Sequence, residues 1–247
     1  MNKLQECHSI DFCTLDYECA YLPDKKTRML YRYIPKATKE LASALIKRGW
    51  RRFGHSYFHP ICQGCNECKN LRIDVKSFKP SKSQRRAIKK NANTKIYINE
   101  PSLTYEHLDL YNKYHKFKEK KSGWKYNEMD LQTYYEEFVV GAHVFGKEVL
   151  YFHDNRLVGV DLIDILDDGI SAIYFYYDPD YEKLSLGIYS LIVQINLARN
   201  LGLDWIYLGY WVDGCASFAY KTKFQPYEIL EGFPAIDEEP LWQSVVN

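Results

Sequence analysis

Residues 148–177, EVLYFHDNRLVGVDLIDILDDGISAIYFYY, and 184–209, LSLGIYSLIVQINLARNLGLDWIYLG, decide how this chain folds. The first stretch holds three β-branched and aromatic runs, Glu148 to His153, Arg156 to Ile165 and Ile170 to Tyr177. Asp154-Asn155 and Asp167-Asp168-Gly169 separate them with the turn chemistry of successive hairpins, so three antiparallel strands are expected. In the second stretch Leu184, Ile188, Leu191, Ile192, Ile195 and Ala198 recur at helical spacing as far as Gly202, and the run Trp205 to Gly209 follows at once. Strand, helix, strand at this spacing is a βαβ crossover. The expectation is an α+β chain in which an antiparallel meander feeds a parallel pair.

Upstream the pattern is sparser. Leu41, Ala44, Leu45 and Arg48 share one side of a helix with Thr38 as N-cap and Gly49 as its stop. Leu71 to Val75 reads as a short strand, Ser102 to Lys120 as an amphipathic helix and Met129 to Phe138 as another. Pro101 interrupts strand continuation and puts a boundary near Asn99 to Ser102. Two modest domains are therefore expected, 1–100 and 101–247, in a chain of 247 residues of which 46% are hydrophobic. No apolar run approaches the roughly 20 residues of a membrane span, and Met1 to Ile10 carries Glu6 and His8 in place of a signal-peptide core. A cytoplasmic protein with no membrane partner is expected. The 22 tyrosines suit stacking on nucleobases as well as an aromatic core.

Cys62-Gln63-Gly64-Cys65-Asn66-Glu67-Cys68 contains two C-x2-C steps in succession. A tight loop of this spacing turns three thiolates toward one ion, and Gly64 relieves the crowding of the backbone. Cys19, in Glu18-Cys19-Ala20-Tyr21, is the choice for a fourth ligand. Zinc is the simplest occupant, and an iron-sulfur cluster has compatible spacing. A reduced, metal-free loop is the competing reading. Cys7, Cys13 and Cys215 are expected to be ordinary buried thiols.

Net charge is only +1, so any affinity for a polyanion must come from local distribution. Between Asp74 and Glu100 there is no acidic residue, and eight basic ones accumulate. Lys82, Arg85, Arg86, Lys89 and Lys90 fall at i, i+3, i+4, i+7 and i+8, which on a helix makes one basic face matched to backbone phosphates. Arg51 and Arg52 are placed to extend it. A solvated surface would carry the same residues. Gly209 to Pro226, finally, begins at the end of the crossover strand, where sites on such sheets lie, and gathers Tyr210, Trp211, Tyr220, Lys221 and Lys223.

Several of these segments, in this order, resemble the arginyl-tRNA-protein transferase family and within it the bacterial leucyl branch, which acts on N-terminal Asp and Glu. The resemblance rests on Cys-Ala-Tyr-Leu-Pro at 19–23, Tyr57 to Cys68, Gln84 to Asn91, Tyr-Tyr-Asp-Pro at 176–179, Leu208-Gly209-Tyr210-Trp211, Tyr220-Lys221 and Phe224-Gln225-Pro226. It spans about Cys19 to Glu228. His59 stands where the family usually has Arg, and Ser217-Phe218 where it has a Lys-Met pair. The resemblance implies a two-lobed molecule, with an N-terminal lobe carrying the cysteines and facing tRNA, and a C-terminal lobe of the GNAT-like acyltransferase fold. It implies Leu-tRNA as donor, proteins beginning with Asp or Glu as acceptors, and N-end rule degradation downstream. The loop Tyr181 to Gly187 holds a single glycine, so no pyrophosphate cradle, and hence no CoA or nucleotide cofactor, is expected.

The chemistry so implied is aminolysis of an aminoacyl ester, which requires positioning, removal of a proton from the amine and stabilisation of an oxyanion. Asp178 is the candidate carboxylate at the amine, with Tyr210 and Tyr220 as hydrogen-bond donors and Trp211 beside them. Asp178 before Pro179 could equally cap a turn. An acidic acceptor residue needs a cation, for which Lys221 and Lys223 are candidates and Arg72 an alternative. Two other functions remain open at this point: a CoA-dependent acetyltransferase of the same fold, and a non-enzymatic, metal-stabilised RNA-binding protein.

Overall fold

The structure, a computed structural model, describes residues 8–141 and 144–245. Its first layer is a four-stranded antiparallel sheet in the order β1-β4-β6-β5, formed by β1 (Ile10–Cys13), β4 (Met29–Tyr33), β5 (Arg51–Phe53) and β6 (Ser56–Pro60). A two-stranded ribbon, β2 (Tyr17–Glu18) with β3 (Lys26–Thr27), hangs from it. The helix α1 (Lys39–Lys47) begins where expected, with the Thr38 hydroxyl accepting from the Leu41 amide at 3.2 Å. Its buried side, Leu41, Leu45 and Ile46, packs with Trp50, Tyr57 and Tyr207.

The main sheet has eight strands: β7 (Lys69–Asp74), β8 (Lys95–Asn99), β9 (Gly146–His153), β10 (Arg156–Ile165), β11 (Gly169–Tyr177), β12 (Trp205–Trp211), β13 (Tyr227–Leu230) and β14 (Trp242–Ser244). Their order is β14-β13-β7-β12-β11-β10-β9-β8. The meander β9-β10-β11 is antiparallel, and β11 pairs with β12 in parallel across the helix α5 (Leu186–Asn200), as the sequence pattern requires. The division expected at 100/101 does not interrupt this sheet. Leu71 and Ile73 of β7 are fully buried because β7 lies between β12 and β13, and β8 extends the other edge against β9. Leu71 and Ile73 point to the same face, and most of the core that covers it, from Val149 to Tyr227, is supplied from beyond residue 100.

Helices flank both sides. The long α3 (Tyr105–Ser122), capped by Thr104 and stopped at Gly123 in the left-handed conformation, packs Leu110, Tyr111 and Tyr114 against Leu150, Val160 and Tyr176. The expected helix at 129–138 is α4 (Leu131–Tyr134) continued by a wider π-turn, Tyr135–Val139. On the opposite face α5 lays Leu191, Ile192, Ile195 and Ala198 on Val149, Ile163 and Ile206. The basic helix α2 (Lys82–Lys90), opened by a capping box between Ser81 and Gln84, packs beside α5, and Asn91 Nδ2 donates to the Leu184 carbonyl at 2.7 Å. No described helix is long and apolar enough to cross a membrane.

Candidate active site

β11 and β12 are paired only across Gly169–Ser171 and Trp205–Tyr207. Beyond that β12 bulges against β7 between Tyr207 and Gly209, the two parallel strands part, and a cavity of about 610 Å³ opens between them and the first turn of α5. Apolar side chains form much of its wall, among them Phe175, Leu186, Ile188, Leu191 and Leu208.

Its charged groups arrive from several elements. Arg51 reaches in from β5 and its Nη2 donates to the Ala172 and Ile173 carbonyls of β11 at 2.7 and 3.0 Å. Gly209 leaves the space for it: the residue has φ +66°, and a Cβ there would lie 2.4 Å from Arg51 Nη1. The buried Lys221 Nζ donates to the Leu208 carbonyl at 2.8 Å and to that of Tyr210. Burial pushes the pKa of both cations down, and for Lys221 the neighbouring Arg51 adds to the effect. Asp161 of β10 accepts from Gln194 Nε2 at 2.8 Å, while Asp161 Oδ1 and Gln194 Oε1 have no partner. Burial drives the Asp161 carboxyl up to about 7. Tyr220 is pushed up to about 12 by burial, so it stands as a neutral hydroxyl.

Of the residues singled out from sequence, this cavity collects Tyr220 and Lys221. Asp178 lies elsewhere: it accepts from the Asp180 amide at 3.0 Å and holds Lys113 Nζ at 2.6 Å, the turn-capping alternative. Tyr210 donates to the Phe58 carbonyl at 3.1 Å and faces a different cavity. Trp211 packs against the α5 core, and Lys223 is exposed. Arg72 pairs with Glu228 at 2.6 Å and is sandwiched between Trp205 and Trp242, 3.6 and 4.3 Å from their ring centres, so it braces the β7-β13 edge. Sequence reasoning missed Asp161 and Gln194 and put Arg51 on the basic surface. A carboxylate inside the otherwise apolar run 157–163 was the available signal.

Tyr210 lines a second cavity, of about 430 Å³, together with Cys19, Cys62, Cys65 and Cys68. Burial, with the other three thiols close by, pushes Cys68 up to about 12. The four thiols thus face one space and their chemistry suits a thiophilic ion. As they stand, no three His, Cys, Asp or Glu side chains among the described residues are close enough to hold a metal. Cys13 is exposed on β1 and Cys215 half-buried in a loop, not the buried thiols expected; Cys7 lies outside the described residues. His59 fills an aromatic slot, edge-on to Trp50 and stacked on Phe233.

The basic residues of α2 are all exposed, because Gln84, Ala87 and Asn91 form its buried side. Lys90 Nζ donates to the Lys183 carbonyl at 2.7 Å, one residue from Glu182 on the cavity wall. The positive surface therefore abuts the mouth of the first cavity.

Comparison with known proteins agrees along the chain. The N-terminal part of the family described as arginine-tRNA-protein transferase matches residues 17–86 and its C-terminal part matches 106–231. An aspartate/glutamate leucyltransferase of Campylobacter jejuni is 49% identical over 236 residues, covering 95% of this chain and 99% of that protein. One from Helicobacter hepaticus is 38% identical over 95% of this chain and 97% of the relative, and one from Pseudomonas fluorescens 34% over 89% and 92%. Among solved structures, FemX superimposes with a TM-score of 0.50 at 8% identity, over 89% of this chain and 85% of that one, a likeness of fold. With both of its halves matched in order and relatives similar over nearly their whole length, this chain belongs to the arginine-tRNA-protein transferase family.

Proposed function

We propose that the protein transfers leucine from charged tRNA to the α-amino group of proteins beginning with Asp or Glu, marking them for N-end rule degradation. One observation carries the reading from the geometry. A cavity with apolar walls, the buried Lys221 and the half-buried Arg51 opens where β11 and β12 part, and the basic helix α2 is fastened at its rim. The meander, the crossover and the parting of the parallel pair support the reading of a GNAT-type acyltransferase, in which aminoacyl-tRNA takes the place of acyl-CoA. The phosphates of the tRNA lie along Lys82, Arg85, Arg86, Lys89 and Lys90, and its terminal ester enters the cavity.

The attacking amine has an ordinary pKa of about 8, so a usable fraction is neutral near pH 7. Its nitrogen attacks the ester carbonyl, a C–N bond forms, and the C–O bond to the ribose breaks. One proton passes from the nitrogen to the departing ribose oxygen. Asp161 is the buried one of the two carboxylates on the cavity wall and the group we assign to carry that proton, and the neutral Tyr220 hydroxyl donates toward the oxyanion. Apolar walls suit a leucyl side chain better than a guanidinium. Zinc or an iron-sulfur cluster is proposed for the cysteine cavity only as a folding element whose binding would have to draw the thiols of Cys19, Cys62, Cys65 and Cys68 closer together, and no step of the transfer runs through it.

The test is transfer of labelled leucine, and separately of arginine, from charged tRNA to peptides beginning with Asp, Glu and Ala. Leucine on the acidic peptides alone is expected. Acetyl-CoA turnover would return the acetyltransferase alternative, and tRNA binding without transfer the RNA-binding one.

A further inference from the structure

Arg51 and Lys221 are neighbours in the transfer cavity, and among the described residues neither forms an ion pair with a carboxylate. The hydrogen bonds they make go to the carbonyls of Ala172, Ile173, Leu208 and Tyr210. The groups around Arg51 are otherwise the hydroxyls of Tyr21, Tyr210 and Tyr220. Asp164, the nearest carboxylate, is held on both oxygens by Arg52. The two carboxylates on the cavity wall are also engaged, Asp161 with Gln194 and Glu182 with Lys121. The Arg51 guanidinium lies beside a buried amine whose pKa it helps burial to push down, and neither has a carboxylate partner among the described residues, so an arriving anion is favoured there.

We infer that Arg51, with Lys221 beside it, binds the side-chain carboxylate of the acceptor's first residue and so is the element that selects Asp and Glu. The inference rests on reading this cavity as the site of transfer. A carboxylate at the end of one or two methylenes can reach a cation at the floor of the cavity. A backbone phosphate, flanked by two nucleosides, belongs at the exposed lysines and arginines of α2. Arg51 spends Nη2 on two carbonyls, which fixes its plane and leaves Nη1 and Nε, on opposite sides of the guanidinium, each able to donate a single charge-assisted hydrogen bond to a carboxylate oxygen. Gly209, with no Cβ, lets the Arg51 side chain lie directly against the β12 backbone and so holds the guanidinium in the cavity.

The experiment measures leucine transfer to peptides that begin with Asp, Glu, Asn and Gln and are otherwise identical, using wild type, Arg51→Gln and Arg51→Lys. For Arg51→Gln the expected result is a fall of about 100-fold in the preference for Asp over Asn, read in the acceptor KM, with KM for Leu-tRNA unchanged. Arg51→Lys retains a preference for acidic over amide peptides and changes the ratio of Asp to Glu. In the wild type, an arginine-directed dicarbonyl reagent mapped by mass spectrometry is expected to spare Arg51 when the Asp peptide is present and to modify it when the Asn peptide is; this arm stands even if Arg51→Gln does not fold. An equal loss of kcat on all peptides, a rise in the Leu-tRNA KM alone, or equal protection by both peptides would overturn the inference. Absence of any leucine transfer by the wild type would instead remove the functional reading beneath it.

Discussion

Arg51 and Arg52 are consecutive in β5, and only Arg52 has a carboxylate: its Nε and Nη2 grip the two oxygens of Asp164 at 2.8 and 2.6 Å, while Arg51 on the other side of the strand bonds main-chain carbonyls. Alternation along a strand sends the two guanidiniums to opposite faces. One becomes a buried tie between the small sheet and β10, and the other a cation in the cavity.

Breaking the tie should be costly. Arg52→Met leaves Asp164 buried without a partner, for which a loss of roughly 3–5 kcal/mol is expected in urea unfolding. Arg52→Met combined with Asp164→Leu should lose distinctly less. Equal losses in the single and the double variant would mean that the pair is not the source of the cost.

Asp161 makes stability depend on pH. Its carboxyl titrates near 7 in the fold and near 3.9 in the unfolded chain. Its stabilising balance is therefore complete below about pH 4 and is lost as pH rises through about 7. Asp161→Asn should remove the dependence, melting well above the wild type at pH 8 and near it at pH 4.5. The span corresponds to on the order of 4 kcal/mol. Burial sets this shift, and the hydrogen bonds from Gln194 on α5 and Tyr151 on β9 oppose it.

Charge on α2 should appear in salt dependence. Replacing Lys82, Arg86 and Lys89 by Gln, all exposed and none bonded to the fold, is expected to weaken tRNA binding and leave thermal stability unchanged. Each phosphate contact removed should lower the slope of log K against log salt by about 1. An unchanged slope would place the tRNA on another surface.

Gly209→Ala and Gly202→Ala form a matched pair. Both glycines have φ near +70°, so the backbone cost is similar, about 1 kcal/mol. At Gly202 a Cβ meets nothing within 4 Å, whereas at Gly209 it lies 2.4 Å from Arg51 Nη1. Acceptor KM should rise about 100-fold in Gly209→Ala and stay at the wild-type value in Gly202→Ala.

The meander and crossover were legible because they obey local rules: alternation in β9 to β11, a helical stripe in α5, and Asp-Asn and Asp-Asp-Gly turns between strands. The cap at Thr38 likewise acts within four residues of itself. The position of β7 between β12 and β13 was not legible, since that pairing joins residues more than 130 apart and nothing local specifies the partner. The site followed the same division. Lys221 and Tyr220 sit in a segment marked by composition, but Arg51 enters the cavity only because the small sheet docks on β11, and Asp178 was drawn away by Lys113 on α3.

The placement of β7 bears on how the molecule can be made. Its neighbours β12 and β13 are translated only after more than 130 and more than 150 further residues. Leu71 and Ile73 must then remain uncovered until those strands emerge, a long interval for an apolar strand with two open edges. A split gene divided at residue 100 would express two fragments that each hold part of one sheet, so solubility of either should depend on co-expression of the other.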